Sequence, residues 1–288
     1  MPHWLKGTLI ALVSAAAALT ASQMWRAQVE GKAPGITVRR TADGTPDVNG
    51  IWQAVGTAYW NLQDHQARTG PVLELGAVLA VPAGLSVVEG HEIPYQPWAA
   101  ARQQENYENW LSRDPEVKCY LPGIPRATYM PYPFQILQTA GNDILMAYEY
   151  ASASRVIKMG RVEPPPVDTW MGQSAGRWEG DTLVVDVTGL NDQTWFDRAG
   201  NFHSEALHVV ERFTPVGPDV LDYQVTIEDP KVFTRPWTIR MPLYRRQDKG
   251  AQLLEFKCVE FVEEMMYGDL RKKTGKEQPF SPARLRWP

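Results

Sequence analysis

The densest chemistry in this chain lies in residues 189–205, where Asn191, Asp192, Gln193, Thr194, Asp197, Arg198, Asn201, His203 and Glu205 surround two large aromatics, Trp195 and Phe196. A histidine held by a carboxylate can serve as a general base, its tautomer fixed by the acid. That logic gives His203 the base role and Asp192 or Asp197 the orienting role. Arg198 would stabilise a developing anion, in hydrolysis, isomerisation or lyase chemistry that needs no cofactor. Trp195, Phe196, Arg198 and Glu205 would line a site for a small, partly apolar ligand. The plainer reading gives Asn191 and Asp192 turn hydrogen bonds, pairs Asp197 with an arginine, and makes His203 the end of a strand. A second candidate lies in residues 122–133, where Arg126 among Tyr129 and Tyr132 could hold a carboxylate or phosphate, or the loop could simply staple a sheet edge.

Other constellations carry less. Gly172-Gln173-Ser174-Ala175-Gly176 matches a nucleophile elbow, but an elbow needs a strand before the serine and a helix after it. Here Pro164-Pro165-Pro166 precede it, and a turn into a strand follows. No metal is expected. His203 and Glu205 would sit ~6.5 Å apart on one strand face, His208 falls on the other, and His65 and His91 belong to a less regular region.

Such side chains need a scaffold, and the pattern after Asn142 supplies one. Leu183, Val185 and Val187 alternate with Val184, Asp186 and Thr188; Leu221, Tyr223, Val225 and Ile227 alternate with Asp222, Gln224 and Thr226; Trp237, Ile239, Met241 and Leu243 follow suit. Period two marks half-buried antiparallel strands. With residues 144–150, 207–213 and 253–262 this predicts at least six strands. The expected fold is mainly β: an antiparallel meander or lipocalin-like barrel or curled sheet, with one peripheral helix at 97–112 and long Pro-rich loops. Prolines 122, 125, 131 and 133 predict an extended, rigid loop rather than helix. His203 and Glu205 share parity with Leu207, Val209 and Phe213, so a strand extended backward would point both toward the apolar side.

The ends of the chain speak to location. Lys6 precedes an uncharged run over residues 7–21, so residues 1–25 read as a signal peptide or, uncleaved, as a membrane anchor with Trp4 and Trp25 at the two interfaces. The expectation is therefore export to the periplasm or beyond, with membrane contact through residues 4–25 if the leader stays. A tether over 26–45, a β-rich domain over 46–268 and a basic tail over 269–288 complete the organisation. The net charge of −4 offers no field for nucleic acid. Cys119 and Cys258 can bridge in an oxidising compartment, or Cys258 can be a buried small hydrophobe. Eleven tryptophans suit a core, but equally the interface of an accessory subunit in a larger membrane assembly.

Two resemblances add to this. The stretch Arg113-Asp114-Pro115-Glu116-Val117-Lys118-Cys119-Tyr120-Leu121-Pro122-Gly123, the block 176–213 and Glu228-Asp229-Pro230-Lys231-Val232-Phe233 resemble an uncharacterised family of exported bacterial proteins. That resemblance covers about 94–268 and implies export and one domain of common architecture, with no activity. Gly50-Ile51-Trp52 resembles the Gly-x-Trp opening of lipocalin-like barrels, which implies that the Trp plugs one barrel end.

Overall fold

The computed structural model describes residues 38–70, 77, 80–262 and 265. The leader, the first part of the tether and the basic tail lie outside these residues. Among the described residues, no helix is long and apolar enough to cross a membrane.

Nine strands close into a barrel in sequence order: β1 (Gly50–Ala54), β2 (Phe134–Gln138), β3 (Ile144–Tyr148), β4 (Ser154–Met159), β5 (Gln173–Glu179), β6 (Thr182–Thr188), β7 (His208–Gly217), β8 (Val220–Glu228) and β9 (Trp237–Arg245), with β9 pairing back onto β1. Alternation does the building. Leu221, Tyr223, Val225 and Ile227 of β8, and Trp237, Ile239, Met241 and Leu243 of β9, are all buried, and the register Val220↔Tyr244 to Ile227↔Trp237 sets them on one face. Fully burying each large apolar side chain contributes roughly 1.5–3 kcal/mol, so a one-residue slip that turned this face outward would be prohibitive. Trp52 of the Gly-x-Trp sequence is buried in β1. Its Nε1 donates to the Val48 carbonyl at 2.9 Å, and the Arg245 guanidinium covers its ring at 4.3 Å.

Several expectations need correction. Residues 253–262 form no strand; they run as an irregular strap, because β9 finds its second neighbour in β1 and the barrel is already closed. The strap is pinned instead by a Cys119–Cys258 disulfide and by Phe256, whose ring lies 4.8 Å from Tyr150 and 5.2 Å from Tyr132. One strand pair is parallel: residues 160–172 carry the chain back along the barrel, so β5 runs in the direction of β4, with Ser174 to Gly176 beside Ile157 to Met159. Residues 38–45, expected as tether, are tied down by Arg39–Asp219 and Arg40–Asp181 ion pairs. The helix expected over 97–112 breaks at Asn109 into α1 (Pro97–Glu108) and α2 (Trp110–Arg113), and the proline-rich loop holds a one-turn helix, α3 (Arg126–Tyr129), between Pro125 and Pro131.

Antiparallel pairing gathers the ends of β1, β3, β6 and β8 with the starts of β2, β4, β5, β7 and β9 at one end of the barrel. Two long connections leave from this end: residues 55–133, which carry α1 to α3, and residues 189–207. They pack on each other. Gln103 and Asn106 of α1 donate to the carbonyls of Ala199 (2.5 Å) and Gly200 (3.3 Å), and Tyr129 of α3 donates to the Phe196 carbonyl at 2.8 Å. Gly200 permits that contact: its φ is +80°, and a Cβ there would stand 2.6 Å from the Tyr107 amide nitrogen.

Candidate functional site

The loop from 189 to 205 is a packed cap. Trp195 and Phe196 are buried; Phe196 lies 5.7 Å from Trp237 and 5.3 Å from the His203 ring. His203 is 3% exposed. Its Nδ1 lies 2.9 Å from the Ser204 carbonyl and its Nε2 2.7 Å from the Thr194 hydroxyl. A carbonyl only accepts, so the network assigns the proton to Nδ1 and leaves Nε2 to accept from Thr194. Burial holds the His203 pKa below the usual imidazole value, outweighing the Ser204 carbonyl and the more distant Asp229 and Asp192. Gly123 completes this packing: at φ +71°, a Cβ would meet the Thr194 hydroxyl at 2.5 Å.

The expected pairing of His203 with a carboxylate does not form. Asp197 accepts from the Leu62 amide (2.8 Å), the Asn201 amide (3.2 Å) and the Asn201 side chain (2.6 Å), which folds the tip of the loop. Burial pushes its carboxyl up to about 7, against those hydrogen bonds. Asp192 is exposed and accepts from Gln193. Glu205, expected on the apolar side, is exposed and paired with Lys231. The reason is that β7 begins only at His208; before it the chain turns around Ser204, held by Asp229, and strand parity is lost.

Arg198 and Arg126, expected to meet a ligand anion, meet Glu116, which sequence reasoning did not single out. Arg198 grips both Glu116 oxygens at 2.9 and 3.0 Å. Arg126 reaches Glu116 at 2.9 Å and holds Asp114 in a bidentate pair at 2.7 and 2.9 Å. Tyr59 donates to Glu116 at 2.5 Å. The Arg198 guanidinium lies 4.8 to 4.9 Å from the ring centroids of Tyr59, Trp60 and Trp110. Burial alone would raise the Glu116 carboxyl, but the two guanidiniums hold it below the usual range. Two arginines and two acids balance in charge, and both guanidiniums face carboxylates of the chain itself.

A second polar cluster stands inside the barrel. Arg155 of β4 and Glu211 of β7 are 2% and 0% exposed at their side chains and pair at 2.5 and 3.1 Å. Tyr223 donates to Glu211 at 2.7 Å, and Arg155 reaches the Ser174 hydroxyl at 3.4 Å. Ser174 is thus an inward β5 residue and no elbow nucleophile. The remaining donors converge on a poor acceptor: Arg155 Nη2 lies 3.2 Å and the Tyr148 hydroxyl 3.8 Å from Met146 Sδ. Thr128 of α3 sits beside the Tyr148 and Tyr223 phenols. Its hydroxyl, fully buried, nevertheless has no partner of hydrogen-bond geometry, and neither has Arg155 Nε. Burial raises both phenols, so they stay protonated as donors.

Compared with protein families, with curated proteins and with solved structures, the chain finds no match in any of the three.

Proposed function

We propose that this chain is an exported β-barrel protein that binds a small, partly apolar ligand, and that the contact lies beneath α3, inside the barrel, rather than on the loop at its mouth. One observation carries the reading: beneath α3 the Thr128 hydroxyl and Arg155 Nε are buried without a hydrogen-bond partner, beside a Tyr148 hydroxyl whose contact is the Met146 thioether. A buried donor left unmet costs ~1–3 kcal/mol and calls for a compensating partner, which a bound ligand would supply. Ile136, Ile157, Val209 and Phe213 are buried on the inward faces of neighbouring strands, the apolar surroundings that a small-molecule site requires. The Cys119–Cys258 bridge supports the exported location, since disulfides persist in oxidising compartments. The enzymatic version draws less support: His203 is buried, its Nδ1 faces the Ser204 carbonyl and its Nε2 the Thr194 hydroxyl, with no carboxylate as hydrogen-bond partner to orient it.

Native mass spectrometry of the full chain isolated from its own periplasm and membranes tests this. A bound small organic molecule, absent from Arg155→Met, is the expected result. A ligand-free protein whose melting temperature no apolar compound raises would overturn the reading. A second reading, an anchored accessory subunit, draws on Leu254, Val259 and Met265, which stand 63%, 52% and 71% exposed on and beside the strap. The same spectrum decides it: a full-length, membrane-bound chain that co-purifies with other subunits favours that reading.

A further inference from the structure

We infer that the Cys119–Cys258 bridge is an exchangeable disulfide, opened in the folded protein by a thiolate that attacks Cys258, and that its opening frees the strap and leaves the barrel intact. The inference is independent of any ligand in the interior. The bridge lies at the surface: Cys258 is exposed and Cys119 half-buried, and the strap from Lys257 to Val262 is exposed throughout. Structural disulfides resist reduction when the fold shields their sulfurs, whereas exposed ones are the labile and regulatory class. Approach from solvent to Cys258 makes Cys119 the leaving sulfur.

The bridge is the strongest tie on the strap. Of residues 253–262, Leu253 and Phe256 are half-buried and the others exposed. The Leu254 amide donates to a Glu149 carboxylate oxygen at 2.8 Å and the Phe261 amide to the Val117 carbonyl at 2.7 Å, while Phe256 rests on Tyr132 and Tyr150. Ordering the backbone of such a segment costs more free energy than these contacts return, so the covalent link keeps it in place. Cys119 and Phe261 also stand at φ +58° and +53°, a region that non-glycine side chains disfavour, and release of the strap relieves both. The barrel does not need the strap, because β9 already pairs with β8 and with β1. What release alters is the edge of the Glu116 cluster: Val117 follows Glu116 in the chain, and Tyr150 donates to the Glu116 carbonyl at 3.3 Å.

The reductant that balances the step is a dithiol, the chemistry of an exported redox protein with two neighbouring cysteines. One thiolate attacks Cys258 Sγ; a new S–S bond forms, the Cys119–Cys258 bond breaks, and Cys119 leaves as a thiolate that takes a proton from solvent. The second thiol of the partner gives up its proton, attacks its own neighbour's sulfur in the mixed disulfide and releases Cys258. The bridge thereby gains two electrons and two protons, and the dithiol is oxidised to a disulfide.

The test treats the full oxidised chain, at neutral pH and without denaturant, with millimolar dithiothreitol, and reads alkylation by N-ethylmaleimide in a mass spectrometer over time. Both cysteines should react at a rate within about a hundredfold of that in denaturing urea, since an exposed bridge needs no global unfolding. A native rate slower than that means that the bridge opens only through unfolding, and the inference fails. With glutathione as the probe, rapid alkylation and peptide mapping should place glutathione on Cys258 and maleimide on Cys119; the reverse pattern overturns the assignment of the attacked sulfur. After reduction, tryptic cleavage at Lys257 should be at least about tenfold faster, with the far-ultraviolet circular dichroism of the barrel unchanged. Cleavage at the same rate, or loss of the barrel signal, would overturn release of the strap as a separate unit.

Discussion

Replacing Arg155 by methionine strikes the interior where its polar groups are most interdependent. Both partners of the Arg155–Glu211 pair are essentially without solvent, and the two N···O contacts are 2.5 and 3.1 Å. Removing the guanidinium leaves the Glu211 carboxylate with the Tyr223 hydroxyl at 2.7 Å as its remaining donor. Breaking a buried pair by deleting one partner typically costs about 3–5 kcal/mol, because the other charge stays behind uncompensated. Arg155→Met should therefore lose ~4 kcal/mol, and Glu211→Met a similar amount by stranding the arginine. The double variant should recover to within about 1–2 kcal/mol of wild type, since well-packed apolar replacements of a buried pair are often neutral. The assay is urea unfolding at pH 7 of all four proteins with the disulfide intact, read as a double-mutant cycle with the slope checked for constancy. Single losses below about 1 kcal/mol, or a double variant that loses the sum of the two, would refute the account of the pair as a closed, mutually dependent unit.

Three other outcomes follow from particular residues. Burial raises the Asp197 carboxyl from its ordinary value of 3.8 to about 7 in the folded chain, so its contribution to stability is full below pH 4 and lost as the pH rises to 7, by on the order of 4 kcal/mol; urea midpoints measured from pH 4 to 8 should fall, and Asp197→Asn should flatten that slope. Cys258→Ser opens a bridge between residues 139 apart in sequence, so it should cost ~2–5 kcal/mol and expose the 250–262 strap to limited proteolysis, and an unchanged cleavage pattern would count against the strap's being pinned there. His203→Ala empties a fully buried position between Phe196 and Thr194 and should lower stability by ~2–4 kcal/mol; a catalytic surface histidine would leave the melting temperature nearly unchanged, which differential scanning calorimetry distinguishes.

Much of the barrel is legible in the sequence because its signal is local. The alternation of 221–227 and 237–243 needs only neighbouring residues to declare a half-buried strand, and closed β architecture follows from many such strands joined by short turns. Strands β1, β2, β4 and β5 were harder to read: they are five to seven residues long, and β4 carries Arg155 and β5 Ser174 and Gly176 on the inward parity, which blurs the apolar alternation. Residues 253–262 misled for the opposite reason, alternating like a strand where no edge was left to pair with.

The sites divide along the same line. Sequence alone picks out 189–205 as polar, aromatic and confined between strands; Glu211, an acid on the parity of Leu207, Val209 and Phe213, was a signal of the interior pair that the sequence reading missed. It has no means of saying that Asp197 would accept from the Leu62 amide, or that Arg126 and Arg198 would converge on Glu116, because those contacts join segments 10 to 135 residues apart. Residue type and spacing determine which side chains are able to do chemistry and which strands exist. Only closure of the barrel decides which charges neutralise one another and which donors are left beneath α3 without an acceptor, since in a low-dielectric interior those outcomes depend on distances that the linear order does not contain.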